Sequence, residues 1–528
     1  MTAPHPTNPT NPTDPTNADR RRALQLGALG LATTGLPAWA QPVKPPLQIV
    51  GPWEISGLAP ANSGYMFTRM EITETLMGAG DDGQPAPALA ERWSVSADGR
   101  TWRFVLRPRA RFHDGTPVTA AAVVRCLQAA RVAPALLSVA PIRAVEAEGA
   151  GTVRIRLAAP YAGLPALLAH SSTMVLAPSG YAGDGQVKAI IGSGPYRAVS
   201  VAPPQAVDAV FFDGYDGPRP AIERLRYLTA SRAETRALMA EGGQADLAFG
   251  LDPASVARLR SRRSARIESV TLPRTVIVKL NAGLPSLRDV RVRRALSLAI
   301  DRAGIAKALL RDPEMAAGQL FPPTLKGWFD PSLAPLAYNP AEAAALLAEA
   351  GWKPGPGGLR DASGQPLRLV LRTFVDRPEL PIFATALQEQ WRQAGIDVRV
   401  SIGNSGDVPL GHRDGSLELA LAARNYATVP DPTGTLLQDF SPRGGDWGAM
   451  GWSSGTLDRA LAELALGTAT AQRSAQLRAT VAAVLQAELP VIPVTWYRQQ
   501  VAVSRRLAGV ELDPLERSYR ISRMGWQA

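Results

Sequence analysis

The sequence predicts a mixed α/β protein of two or three lobes, and three observations carry that expectation. Strand-like and helix-like segments alternate along the chain instead of segregating into halves. Two strand-like runs, Val276–Leu280 and Val491–Trp496, bracket a helix-rich middle and have the look of crossings between lobes. The chain has 528 residues, too many for one core when a domain usually takes ~100 to 200.

The elements follow in order. Trp93 to Val118 reads as a β-meander, with Trp102, Phe104 and Leu106 alternating and Asp98-Gly99 and Asp114-Gly115 supplying turns. A helix over Thr119–Arg131 follows, then a strand over Thr152–Leu157. Gly192-Ser193-Gly194-Pro195-Tyr196 punctuates the chain and starts a return to an earlier sheet. From Asp289 a helix places Val292, Ala295, Leu296, Ala299 and Ile300 on one face, which leaves Arg291, Arg293, Arg294 and Asp301 for water. The next helix carries its own signals: Asn339 as cap, Pro340 first, Glu342 completing a capping box and Gly351 past the end. A strand over Leu367–Leu371, a helix over Ala384–Gln393 and a strand over Ile396–Val400 then form a β-α-β unit.

The N-terminus reads as an export signal. Arg20-Arg21-Arg22 stands before the apolar stretch Ala23–Leu36, and Ala38-Trp39-Ala40 gives the small-residue pattern of a cleavage site. The paired arginines and the polar leader fit a twin-arginine signal cleaved after Ala40. Cys126 is the one cysteine, so no internal disulfide forms, and its distance from the cleavage site argues against a lipid anchor.

The formal charge is +11, with arginines scattered among acidic residues. No basic stripe interleaved with aromatics occurs, so no nucleic-acid partner is expected, while a basic cleft for an anionic ligand stays open. An exported hydrolase would need a nucleophile with its base. No Cys-His pairing with a third member is present, so no enzymatic activity is expected. There is also no phosphate loop. His113, His170 and His412 lack metal-ligand spacing, so neither a protein-bound metal nor a cofactor is expected.

Several segments resemble the family 5 solute-binding proteins of ABC importers, which include dipeptide-, oligopeptide- and nickel-binding receptors. They are Leu89-Ala90-Glu91-Arg92-Trp93 through Trp102, Arg111-Phe112-His113-Asp114-Gly115-Thr116-Pro117-Val118 and Ile191 to Tyr196. Gly242 to Leu247, Asn281 with Asp289 to Leu296, Asp301-Arg302 and Tyr338 to Trp352 continue the series in the family's order. The resemblance implies a two-lobed periplasmic binding protein, the type II, cluster C clamshell, with an extra subdomain inserted in lobe 1. It sets lobe 1 at 41–88, 191–278 and 492–528, the insertion at 89–190 and lobe 2 at 279–491. It also implies a monomer that encloses a small molecule or peptide and hands it to an ABC permease and ATPase in the inner membrane.

In dipeptide receptors of this family, an arginine in an Arg-Pro-x-x-Pro segment holds the ligand carboxylate, and Arg377-Pro378-Glu379-Leu380-Pro381 matches it. A guanidinium suits the task because its planar fork gives two parallel hydrogen bonds; the alternative is a surface arginine beside a Pro-rich turn. Those receptors hold the ligand amine with an aspartate four residues before the proline of an Asp-Pro pair. Here Asp431-Pro432 is present, but Thr428 stands at that position, so a free-amine peptide loses its usual anchor. Asp431 either substitutes or fixes the turn before the next helix. Met66, after Tyr65, falls where a nickel receptor places a cleft methionine, and Ala169 to Thr173 occupies the place of that receptor's cleft arginine. Tyr65, Tyr426 and Trp447 complete the candidate cleft as aromatic walls.

Overall fold

The computed structural model describes residues 45–527, apart from 82, 134, 135, 263, 264, 376, 443 and 444. The expected signal segment lies outside the described residues. No helix among them is long and apolar enough to cross a membrane.

Ten strands form one mixed sheet. In spatial order they are Asp397–Gly403, Arg368–Phe374, Leu419–Asn425, Ala265–Leu280 and Val491–Ser504, then Leu247–Ala248, Leu47–Gly51, Arg224–Thr229, Ala206–Phe211 and Tyr196–Ala202. The two crossings expected from sequence are parts of the long central strands Ala265–Leu280 and Val491–Ser504, which pair antiparallel. At one end these strands contribute Val276, Val278, Leu280, Ile492 and Val494 to a core with Leu371, Phe383 and Trp391. At the other, Val501 and Val503 join a separate core with Leu47, Ile49, Phe67 and Tyr227. Their register breaks between Leu272 and Thr275 and again between Val276 and Ile277. Pro273 and Pro493 lie beside these breaks, where a missing N–H interrupts the ladder.

A four-stranded antiparallel sheet, in the order Ala90–Val95, Thr101–Leu106, Thr152–Leu157, Ile142–Ala147, stands apart. Trp102, Phe104 and Leu106 point into its core as their alternation requires. The expected third strand of the meander is reduced to a bridge between Arg111 and Pro117, and Thr152–Leu157 pairs with Thr101–Leu106 in its stead. The helix Ala120–Val132 is capped by Thr119, whose side chain accepts from the Ala122 N–H.

The β-α-β unit forms with its strands parallel, and its helix, Glu379–Gln393, starts a turn earlier than expected. Helix Pro340–Glu349 is capped by Asn339, whose Oδ1 accepts from the Glu342 N–H; the expected capping box forms only in half, because the Asn339 N–H donates to the Leu298 carbonyl and the Glu342 carboxylate accepts from the Asn339 side-chain amide instead. One expectation is corrected. In helix Val290–Leu298, Arg293 is buried, not in water. Its guanidinium donates to the Glu488, Leu287 and Arg288 carbonyls at 2.8–2.9 Å, which supplies donors to carbonyls at the ends of neighbouring helices.

Gly192 and Gly194 are required by close approach. A Cβ at either would strike the Ile72 or Glu71 carbonyl. Ser193 between them is buried and donates to Glu74 Oε2 at 2.9 Å, so the segment that superficially looks like a nucleophile turn is a packing joint.

Candidate functional site

A cleft of about 1020 Å³ opens along the long strands, within the usual size for a small-ligand site. Trp53 and Tyr65 contribute from one side, Arg377 and Trp447 from the other, and Arg274 and Tyr497 from the strands between them. A smaller cavity of about 320 Å³ shares Tyr65, Arg274 and Glu516 with the cleft and adds Arg69, His170, Thr428 and Arg517.

Several of the cleft's arginines are already occupied. Arg424 is bidentate to Asp439 at 2.6 and 2.7 Å, and Arg498 pairs with Asp312 and Glu314. Arg236 is fully buried and directs its donors to the carbonyls of Ala230, Ser231, Phe249 and Gly250. Arg377 differs. Its side chain donates to the Tyr497 hydroxyl at 3.2 Å, and its Cζ lies 5.2 Å from that ring's centroid. No carboxylate among the described residues stands within ion-pair distance of it.

Arg274 also faces the Tyr497 ring, at 5.0 Å, and forms an ion pair with Glu516. Arg69 lies over Trp53 at 4.5 Å and Tyr65 at 5.2 Å, donates to the Glu516 carbonyl at 2.7 Å and approaches its carboxylate at 3.9 Å. Aromatic faces stabilise such guanidinium groups without neutralising them. Burial and the neighbouring Arg377 both pull the Arg274 pKa down. Burial raises that of Glu516, but Arg274, Arg69 and Arg377 outweigh it and hold the carboxyl below its ordinary range.

His170 uses Nδ1 to accept the Ser172 N–H at 3.2 Å, which puts the ring proton on Nε2. Burial first, and Arg517 second, push its pKa down to about 4, so the ring is neutral at pH 7.

The expected residues divide. Arg377, Tyr65 and Trp447 share the cleft, and Trp447 is braced edge-on against Phe374 at 6.1 Å. Thr428 lines the smaller cavity with Tyr65. Met66 and Tyr426 line neither cavity; both are fully buried. Met66 is one position past Tyr65 on a helix, hence about 100° round the axis, and points into the core. Tyr426 stacks on Phe440 at 6.4 Å and meets Phe321 edge-on at 5.8 Å. Asp431 accepts from the Thr433 N–H and hydroxyl at 2.9 and 2.8 Å, which fixes the turn before helix Thr433–Phe440. Among the described residues no group of three or more His, Cys, Asp and Glu is placed to hold a metal ion.

A family model described as bacterial extracellular solute-binding proteins, family 5 Middle, matches residues 84–447. The chain belongs to this family. The family 5 protein is 28% identical over 493 residues to the nickel-binding periplasmic protein of Escherichia coli K12, covering 88% of this chain and 93% of that one. It is 26% identical over 364 residues to the dipeptide-binding protein of the same organism, covering 62% and 65%. The crystal structure of NikA from Brucella suis in complex with Fe(III)-EDTA superposes with a TM-score of 0.83 at 24% identity, covering 92% of this chain and 100% of that one. That likeness concerns the fold: a two-lobed periplasmic binding protein of mixed α/β architecture.

Proposed function

We propose that this family 5 protein is the receptor of an ABC importer for a small carboxylate-bearing solute, a short or modified peptide, taken up between the lobes. Arg377 carries the reading: a half-buried guanidinium in the cleft with a tyrosine as its hydrogen-bonding partner and no carboxylate paired to it among the described residues. Its free fork suits a ligand carboxylate, and Trp53, Tyr65, Tyr497 and Trp447 supply apolar walls. Thr428 lacks the charge that would hold an α-ammonium, which favours ligands whose amine is absent, blocked or held elsewhere.

A second reading is the metal-chelate receptor. The match to the nickel-binding protein spans more of this chain than the match to the dipeptide-binding protein, and a chelate could be held by its own carboxylates where protein metal ligands are lacking. In either case the chain carries a solute without transforming it, is exported by the twin-arginine route, and works as a monomer that docks on an inner-membrane permease and its ATPase.

Native mass spectrometry of the mature protein purified gently from the periplasm, followed by denaturation, tests both readings. The expected result is release of a carboxylate, a peptide on the first reading and a metal-bearing mass on the second. A released ligand without an anionic group would overturn them together.

A further inference from the structure

Glu516 is the carboxylate that pairs with Arg274 and approaches Arg69 at the heart of the site, and its position is built, not incidental. It sits on a turn in the left-handed region, φ 55°, which a non-glycine residue occupies only when its surroundings impose it. The Asp513 carboxylate imposes it by accepting from the Leu515, Arg517 and Ser518 N–H groups at 2.9–3.0 Å. Glu516 lines the main cleft, the smaller cavity and an adjacent void of about 20 Å³, and its side chain is 5% exposed.

Donors outnumber acceptors around it. Arg274 Nε and Arg69 Nη1 are buried without a partner among the described residues. Glu379 lies near Arg377 but forms no ion pair with it, and Glu379 Oε1 is itself buried and unpartnered. The two unpartnered guanidinium nitrogens call for an explanation; a second acceptor arriving with the solute supplies one for them, though not for Glu379 Oε1.

We propose that Glu516 is a resident counter-ion. Its carboxylate holds the seat on Arg274 that an anionic group of the solute takes on binding. Exchanging one carboxylate for another on the same guanidinium gains little by itself, so a monoanion is poorly rewarded for displacing Glu516. A solute with two or more negative groups also reaches Arg377 and Nη1 of Arg69, and these extra contacts decide. The site thereby selects polyanions over monoanions, which rests on the carboxylate reading given above.

The test is calorimetric titration of wild type, Glu516→Gln and Glu516→Asp with citrate, glutarate and propionate at pH 7 and low ionic strength. Thermal melts accompany each titration. Removal of the resident charge is expected to tighten propionate at least tenfold and to shrink the preference for glutarate and citrate over it. Glu516→Asp, which keeps the charge but withdraws it by one methylene, moves the same way by less and keeps the test open if the Gln variant folds poorly. Equal or weaker binding in both variants, with the preference unchanged, would show that Glu516 merely orders the arginines. If neither wild type nor variant binds any of the three, the carboxylate reading of the cleft fails and the counter-ion goes with it. If wild type binds and the variants do not tighten, only the counter-ion fails.

Discussion

Replacing Arg377 by alanine tests the chemistry of the cleft most directly. In the protein alone the change removes one 3.2 Å hydrogen bond to Tyr497 and one guanidinium over its ring. Each is worth about 1 kcal/mol or less at a partly exposed site, so stability should fall only slightly. With solute bound, the same change removes a bidentate contact to a carboxylate. Hydrogen bonds to a charged group contribute about 1.5–3 kcal/mol each, so the loss should be at least ~1.5 and nearer ~3 kcal/mol, a roughly tenfold to hundredfold rise in Kd. Lysine at this position keeps a point charge without the fork and should recover about half. The assay is titration of the solute released from natively purified protein, with melting curves as the control for folding. An alanine variant that binds within twofold of wild type would remove Arg377 from the site and with it the observation on which the functional reading stands.

Three further substitutions probe the frame. Lys279 is 1% exposed, donates to the Gly448 carbonyl, contacts His412 Nδ1 at 2.6 Å and faces Asp439, Asp446 and Arg424. Burial pushes its pKa from 10.5 down to about 7, against the partial support of the two aspartates. The unfolded chain therefore holds a proton that the folded chain lacks between pH 7 and 10.5, so wild type should gain stability relative to Lys279→Met as pH rises through that window; a flat or falling difference in melting temperature refutes this. Arg236→Met strands the four backbone carbonyls that the guanidinium serves and should cost about 2–4 kcal/mol in urea unfolding. Gly194→Ala drives a Cβ into the Glu71 carbonyl and should cost more than ~2 kcal/mol by the same measurement.

Much of the frame was legible because it rests on local signals. Thr119 and Asn339 are caps that work wherever a helix starts, and the Gly99 and Gly115 turns adopt positive φ as their Asp-Gly pairs require. The site was legible only where a motif marked it, as at Arg377. Arg69, Arg274, Tyr497 and Glu516 come from a helix end, two crossing strands and a C-terminal turn, and nothing in one-dimensional order brings them together. One signal was nonetheless present: Arg274 is the one charged residue between Val270 and Val278, beside Pro273, and a charge in such a place must find a partner or a ligand. Met66 and Tyr426 misled because adjacency in sequence is not adjacency on a face. Arg293 misled because an arginine on the polar side of a helix can still be buried when its donors meet chain ends.

The paired prolines in the two long strands have a mechanical consequence. Pro273 and Pro493 lie at the register breaks, so bending is cheapest there, and a residue at the axis of a rotation sweeps the shortest arc. Arg274 adjoins that axis, whereas Arg377 and Trp447 sit out on one arm and Trp53 and Tyr65 on the other. A rotation of the two arms about these breaks would therefore leave Arg274 nearly in place while it carried Arg377 through a longer arc, so the two guanidinium groups would have unequal parts in enclosing a solute.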